Sequence, residues 1–299
     1  MPVRKPRKLH VVSSRSAEAA LADKADDASF ATTLAKGLAV LEAFDVSGAW
    51  LGNGELAART GLARPTVARL SYTLAELGYL HYDEASAKYR LGARSLRMAH
   101  PLLASLEFRQ LARPLMQEMA VSVGGAVSIG LLHGTEAVYV ETARSGDVGA
   151  HIPDLGMAIP VVRSAMGRAL AAMLSAEETA ALDARLVAEG GHDWDAYGER
   201  FAAGRCDCVA NGVNVSCGDW AAAVHAVGVP LFRSRKTGDC FALNCGVPAF
   251  RLGPRQIETD IAPRLKALAA NIRSLAGEGE PVLYAPEAGR PLPGRRVER

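Results

Sequence analysis

The sequence predicts an α+β chain in two parts: a small helical domain closed by a β-hairpin, then a larger domain of strands and helices. Three observations carry this. Residues 30–92 alternate helical apolar periodicity with turn residues and end in two short aromatic-rich runs. From Gly124 the texture changes to short apolar segments around glycine turns. The 299 residues, 49% hydrophobic and 22% charged, suffice for two ordinary cores.

Residues 1–29 are polar and without periodicity, and read as a disordered arm. Arg4, Lys5, Arg7, Lys8 and Arg15 face no acid before residue 18, so the arm reads either as a phosphate-touching extension or as a solubilising tail. Leu9–Val12 is too short an apolar run for a signal-peptide core, and no run approaches the length of a membrane span. The expected compartment is the cytoplasm, with no membrane partner.

Pattern begins near Phe30. In Thr33–Phe44, Leu34, Leu38 and Leu41 recur at helical spacing. Asn53 is expected to cap a short helix over 54–60, which Gly61 ends. Pro65 sits at the start of the next helix, where its missing N–H costs nothing. Val67, Leu70, Leu74 and Leu77 form the buried stripe of that helix. Tyr79–Tyr82 and Lys88–Leu91 flank a polar turn and read as a hairpin. Helix, helix, tight turn, longer helix and hairpin within about sixty residues make a winged helix-turn-helix.

Residues 93–123 read as linker helices, with a break near His100-Pro101 and another near Ser105. A hairpin follows, Ala126–Leu132 and Ala137–Ala143, then a glycine-bearing loop over 145–163. Helices are expected over 164–174, from Ser175 to Glu189, and over 193–204. Cys208–Trp220 reads as irregular, Val224–Phe232 and Cys240–Val247 as strands, and Pro254 as the opening of a last helix to Leu275. The domain over 124–278 gives way to a loose tail, 279–299.

Net charge is only +2, and residues 30–92 hold six basic and six acidic side chains, so placement decides the electrostatics. Turning the Val67 stripe inward turns Thr66, Arg69 and Thr73 outward, while Arg64 lies at the positive end of the helix. A helix of this width fits the major groove, and arginine bonds a guanine edge through two donors. Arg64, Thr66 and Arg69 are the expected base or phosphate contacts, with Tyr72 and Thr73 behind them and Lys88 and Arg90 on the hairpin beside the groove. The expected partner is double-stranded DNA. The competing reading is a winged module used for protein contacts.

Enzyme signatures are missing: the sequence holds no G-x-S-x-G, no H-E-x-x-H and no P-loop. The five cysteines, at 206, 208, 217, 240 and 245, lack C-x-x-C spacing and read as core fillers, with a metal site or thiol sensor as the lesser option. No catalytic residue, metal or cofactor is expected.

The sequence resembles the IclR family of transcriptional regulators. The resemblance rests on Thr33–Leu41, Glu55–Leu62, Arg64–Leu70, Leu77–Leu80 and Tyr89–Gly92 in the first part. In the second it rests on Gly156, Pro160, Ser164–Ala169, Gly218-Asp219-Trp220, Ala226–Leu231 and Pro248–Leu252. It implies a GAF-like α/β effector-binding domain, and homodimers that pair into tetramers. Carried over by position, the effector pocket comprises Ile159, Ala165, Met166, Ser216, Asp219, Val224, Ala226, Asn244 and Gly246. Where family members that take small keto acids often place an acid, a cysteine and serines, this chain aligns Ser216, Ala226, Asn244 and Gly246. A pocket so lined suits a larger or aromatic organic acid. The expected function is ligand-responsive control of a catabolic operon, as repressor or activator.

Overall fold

The computed structural model describes residues 29–45, 48–146 and 153–284. The basic arm and most of the tail read from the sequence lie outside these residues. The chain divides into two compact units at Ser105/Leu106, and each is described by itself.

In the first unit, α1 (Thr32–Glu42), α2 (Asn53–Thr60) and α3 (Arg64–Glu76) precede β1 (Leu80–Asp83), β2 (Lys88–Leu91) and α4 (Ala93–Ser105). Val40, Leu56, Val67, Leu80 and Tyr89, one each from α1, α2, α3, β1 and β2, form one core with Leu51 and Leu62 of the connecting segments. Gly61 ends α2 at φ 74°, a left-handed turn that costs glycine nothing. Leu62 then drops into the core and α3 starts three residues on. β1 and β2 pair antiparallel, and Leu51 bridges Tyr89 so that the segment before α2 adds to the hairpin.

Three local expectations are corrected in this unit. Gly52, not Asn53, is the N-cap of α2, and its N–H donates to Glu55 Oε2 at 2.8 Å. Leu77 is exposed, because α3 ends at Glu76 and Ser71 takes the inward place beside Val67. The expected break at His100-Pro101 is missing: α4 runs through Pro101 to Ser105, and the interruption falls at 106–107.

The second unit contains α5 (Phe108–Val123), β3 (Ala126–His133), β4 (Glu136–Arg144), β5 (Ala158–Pro160), α6 (Ala165–Ala171), α7 (Ala176–Asn211), β6 (Asn214–Cys217), β7 (Val224–Arg233), β8 (Cys240–Pro248) and α8 (Ala262–Ala276). The six strands form one antiparallel sheet in the order β5-β4-β3-β8-β7-β6.

Strand alternation gives the sheet two unlike faces. One carries Val127, Ile129, Val227, Val229, Leu243 and Cys245, all buried. The helices α5 and α8 lie against the sheet, and Phe108 stacks edge-on against Phe232 and Phe241 at 5.0 and 5.3 Å. The other face carries Ala126, Ser128, Gly130, Ala226, Gly228, Asn244 and Gly246. These small residues let α6 approach closely: a Cβ on Gly228 would collide with the Ala165 carbonyl, and one on Gly130 with the Met166 sulfur. A β-bulge between Ile129 and Gly130 lets Tyr139 join the small-residue face while Glu141 lies opposite Ile129 on the other. There Arg109 and Arg113 of α5 hold the Glu141 carboxylate at 2.6 and 3.4 Å.

The expected pair of helices over 175–204 is a single helix of 36 residues, α7, which passes Gly190-Gly191 without a break. A capping box at Ser175 and Glu178 starts it, and Gly212 at φ 72° ends it. The segments expected to be loops contain β5 and β6. The last helix opens later than Pro254, through a π-turn at Ile257–Ile261. No described helix is long and apolar enough to cross a membrane.

Candidate nucleic-acid interface and ligand cavity

The helix α3 has an inner and an outer side. Val67 and Ser71 are buried, with Leu70 and Leu74 packed against the same core. Helical spacing therefore turns Arg69, Tyr72, Thr73 and Glu76 outward together. Arg64, Arg69, Tyr72 and Thr73 are exposed, and Thr66 is half-buried. The Thr73 hydroxyl donates to the Arg69 carbonyl at 2.9 Å, which fixes it along the helix. Arg64 is the first residue of the helix, and its guanidinium reaches back beside Gly54 of α2.

On the hairpin, Lys88 Nζ pairs with Glu55 Oε2 at 3.3 Å, which ties the wing to α2. The Gly52 N–H and the Lys88 ammonium hold the Glu55 carboxyl below its ordinary range. The Arg90 guanidinium lies 5.4 Å from the Trp50 ring centroid and donates to the Leu91 carbonyl. Arg59 is a scaffold residue: it donates to the Ala43 carbonyl at 2.8 Å and pairs with Asp45 at 3.1 Å. The basic cluster at the start of α3 thus reduces to Arg64 and Arg69.

In the second unit a cavity opens on the small-residue face of the sheet, next to α6. Its empty space, mouth included, is about 580 Å³. Ala126, Tyr139, Asn244, Gly246, Ala226 and Ser216 form the floor across five strands, and Ile159, Val224, Ala165, Trp220 and Pro153 form the sides. Seven residues expected from the sequence border it: Ile159, Ala165, Ser216, Val224, Ala226, Asn244 and Gly246.

Two others do not. Met166 is fully buried, packed over Gly130 in the core beneath α6. Asp219 is tied up beside the cavity: Arg168 Nη2 and Arg200 Nη1 reach its carboxylate at 2.5 Å each, and Ser216 Oγ donates to it at 3.2 Å. Burial raises the Asp219 carboxyl, but Arg168 and then Arg200 outweigh it and bring it below its usual value. Arg163 donates to the Asp219 and Trp220 carbonyls at 3.1 Å each. Asp219 is thereby the fastening of the loop that carries Trp220 to the cavity wall.

Tyr139 and Trp220 line the cavity without having been expected from the sequence. Tyr139 reaches it only because of the bulge, a shift no strand pattern announces. Burial pushes its phenol well up, and the Asn244 side chain, hydrogen-bonded to it, opposes this in part. Trp220 sits in the Gly218-Asp219-Trp220 run, so the motif was visible although its role was not.

Burial pushes the Cys208 and Cys245 thiols to about 12 and Cys240 to about 11, so these three stay protonated near neutrality. Cys206 and Cys217 are exposed. Among the described residues no three His, Cys, Asp or Glu side chains stand together as metal ligands.

The IclR helix-turn-helix domain matches residues 33–84, and the bacterial transcriptional regulator IclR C-terminal domain matches residues 100–274. The chain belongs to the IclR family. The HTH-type transcriptional regulator TsaQ1/TsaQ2 of Comamonas testosteroni is 35% identical over 139 residues, 46% of this chain and 50% of its own length. The p-hydroxybenzoate hydroxylase transcriptional activator of Acinetobacter baylyi is 26% identical over 251 residues, 81% of this chain and 90% of its own length. A crystal structure of an IclR-family regulator from Brucella abortus is 33% identical with a TM-score of 0.72, covering 82% of this chain and 92% of that one. The chain spans about half the length of the first of these relatives.

Proposed function

We propose that this IclR-family protein is a ligand-responsive DNA-binding regulator of a catabolic operon. The outer side of α3 carries the proposal. Arg64 and Arg69 are exposed there and form no ion pair with a described residue, while Thr66, Tyr72 and Thr73 stand beside them. In this reading α3 enters the major groove, Arg69 and Thr66 meet base edges, and Arg64 meets a phosphate. Lys88 and Arg90 run beside the groove, with Lys88 exchanging Glu55 for the DNA backbone.

Leu34 and Leu38 on α1, and Leu96, Met98 and Leu102 on α4, are large apolar side chains left exposed. Such a surface favours self-association, so the working form is a homodimer or a pair of dimers. Two heads related by a dyad meet half-sites roughly 34 Å apart.

The cavity on the sheet takes the effector. The relative named for activating p-hydroxybenzoate hydroxylase favours an aromatic acid in this role. Effector and DNA are coupled if the ligand prefers one spacing of the heads; a preference of about 1.4 kcal/mol shifts that balance tenfold. Which spacing it prefers sets repression or activation. The chain binds its ligand without turning it over, in the cytoplasm, with no metal or cofactor.

The test is selection from sheared genomic DNA by the purified protein. Wild type retains a small set of fragments, with retention falling steeply as salt rises. Arg69→Ala loses them at an unchanged melting temperature. Equal retention by both proteins sinks the proposal and revives the winged unit as a protein-contact module.

A further inference from the structure

Trp50 stands just before α2 with its indole 40% exposed, outside the core of the first unit. Its place is set by the backbone. Leu51, its buried neighbour, exchanges both hydrogen bonds with Tyr89 of β2, at 2.9 and 2.8 Å, along the edge of β2 that β1 leaves open. Antiparallel pairing then brings Trp50 opposite Arg90, and Arg90 stands opposite His81 of β1. The indole meets both neighbours. The Arg90 guanidinium is 5.4 Å from its centroid, and the His81 ring meets it edge-on at 6.1 Å. A large ring here faces a cation instead of the core.

The two cations of the hairpin differ. Lys88 pairs with Glu55, and the Asp83 carboxylate accepts from the Ser86 N–H at 3.0 Å. Arg90 is exposed and has no carboxylate partner among the described residues; it donates to the Leu91 carbonyl at 3.2 Å. Arginine carries five N–H donors, so most of those of Arg90 are open to an anion. Held between a ring and a carbonyl, this long side chain has less rotamer freedom left to lose when it binds.

We infer that Trp50 is a positioning residue for DNA binding: its indole holds the Arg90 guanidinium in place to meet a backbone phosphate beside the groove. This rests on the winged unit being the DNA-binding part. The hold comes from the π face and not from bulk, since leucine is apolar and large but offers no such face.

The full chain, its Trp50→Leu, Trp50→Phe and Arg90→Ala variants and the double variant Trp50→Leu/Arg90→Ala are titrated onto one fragment that wild type retains from genomic DNA, over a series of salt concentrations. Arg90→Ala is expected to weaken binding ~10-fold and to lower the slope of log affinity against log salt by about 1 per head, the mark of a lost phosphate contact. Trp50→Leu is expected to weaken binding ~3- to 10-fold at an unchanged melting temperature. The double variant is expected to bind as Arg90→Ala does, because without the guanidinium the ring has nothing to place. Trp50→Phe keeps a π face and is expected to recover most of the loss. Undiminished binding by Trp50→Leu, an equal loss in Trp50→Phe, a loss that adds in full to that of Arg90→Ala, or no effect of Arg90→Ala overturns the assignment while leaving the DNA reading intact. Failure of wild type to retain any fragment overturns that reading and this inference together.

Discussion

The two faces of the six-stranded sheet are made by the same strands and do opposite work. On one, Val127, Ile129, Val227, Val229, Leu243 and Cys245 alternate inward under α5 and α8 and leave no room. On the other, residues offset by one position are alanine, serine, asparagine and glycine, and a cavity opens beside α6. The difference is side-chain volume. A face of small residues admits the α6 backbone over Gly228 and the Met166 side chain over Gly130, and leaves a cavity where α6 does not cover it. The first face is closed by packing and the second leaves a cavity.

That contrast can be broken most violently where the helix crosses. Gly228→Val places carbon against the Ala165 carbonyl, which is backbone and cannot turn aside. The expected outcome is loss of a cooperative thermal transition in the second unit, read by calorimetry; a normal transition would mean that α6 does not sit as described.

Next comes the fastening of the Trp220 loop. Arg168 reaches Asp219 past Gly204 of α7, and both partners are buried. Arg168→Ala leaves a buried carboxylate with only Arg200 and the Ser216 hydroxyl, at an expected cost of ~3–5 kcal/mol in denaturant unfolding. A cost below ~1 kcal/mol would show that Arg200 and water suffice.

Matched substitutions on the two faces sharpen the contrast further. Leu243→Ala on the closed face is expected to cost ~2–5 kcal/mol, because the gap cannot refill. Ala226→Leu on the open face is expected to cost ~1 kcal/mol or less, since the added carbons enter space already empty. Similar costs for both would erase the distinction between packed face and site.

The smallest effect lies outside both faces. Glu178, which helps cap α7, is held at about 2 by the Arg233 guanidinium, with the Ser175 N–H adding to it and burial opposing. Its folded value is below its ordinary 4.5, so its contribution is complete above about pH 4.5 and is lost as pH falls toward 2. The pair is over a third exposed, which limits the contribution to ~1 kcal/mol or less. Glu178→Gln should flatten stability against pH only in that window.

Most of the architecture was legible because it rests on local signals. Gly61, Pro65 and the Val67 stripe set the helix-turn-helix, and short apolar runs around turn residues set β3, β4, β7 and β8. Misplaced elements were those decided by tertiary packing. A helix reads as broken at Gly190-Gly191, yet α7 continues because Leu182, Leu186, Trp194 and Phe201 bury one side against α6 and the sheet. At the cavity, the residues named on the small face came from the resemblance to the IclR family and not from any local signal. Met166 and Asp219 sat within the right motifs, but packing over Gly130 and pairing with two arginines gave them supporting roles. Tyr139 was illegible, since a one-residue bulge reverses which face it joins.

The most direct measurement is calorimetric titration of whichever hydroxybenzoate stabilises the protein into wild type and Ala226→Leu, with DNA retention followed in parallel. The account expects saturable binding to wild type that changes retention, and no binding to a variant that still melts normally and still retains the same DNA. Undiminished binding to Ala226→Leu would contradict it, because the ligand would then be seated somewhere other than the small-residue face of the sheet.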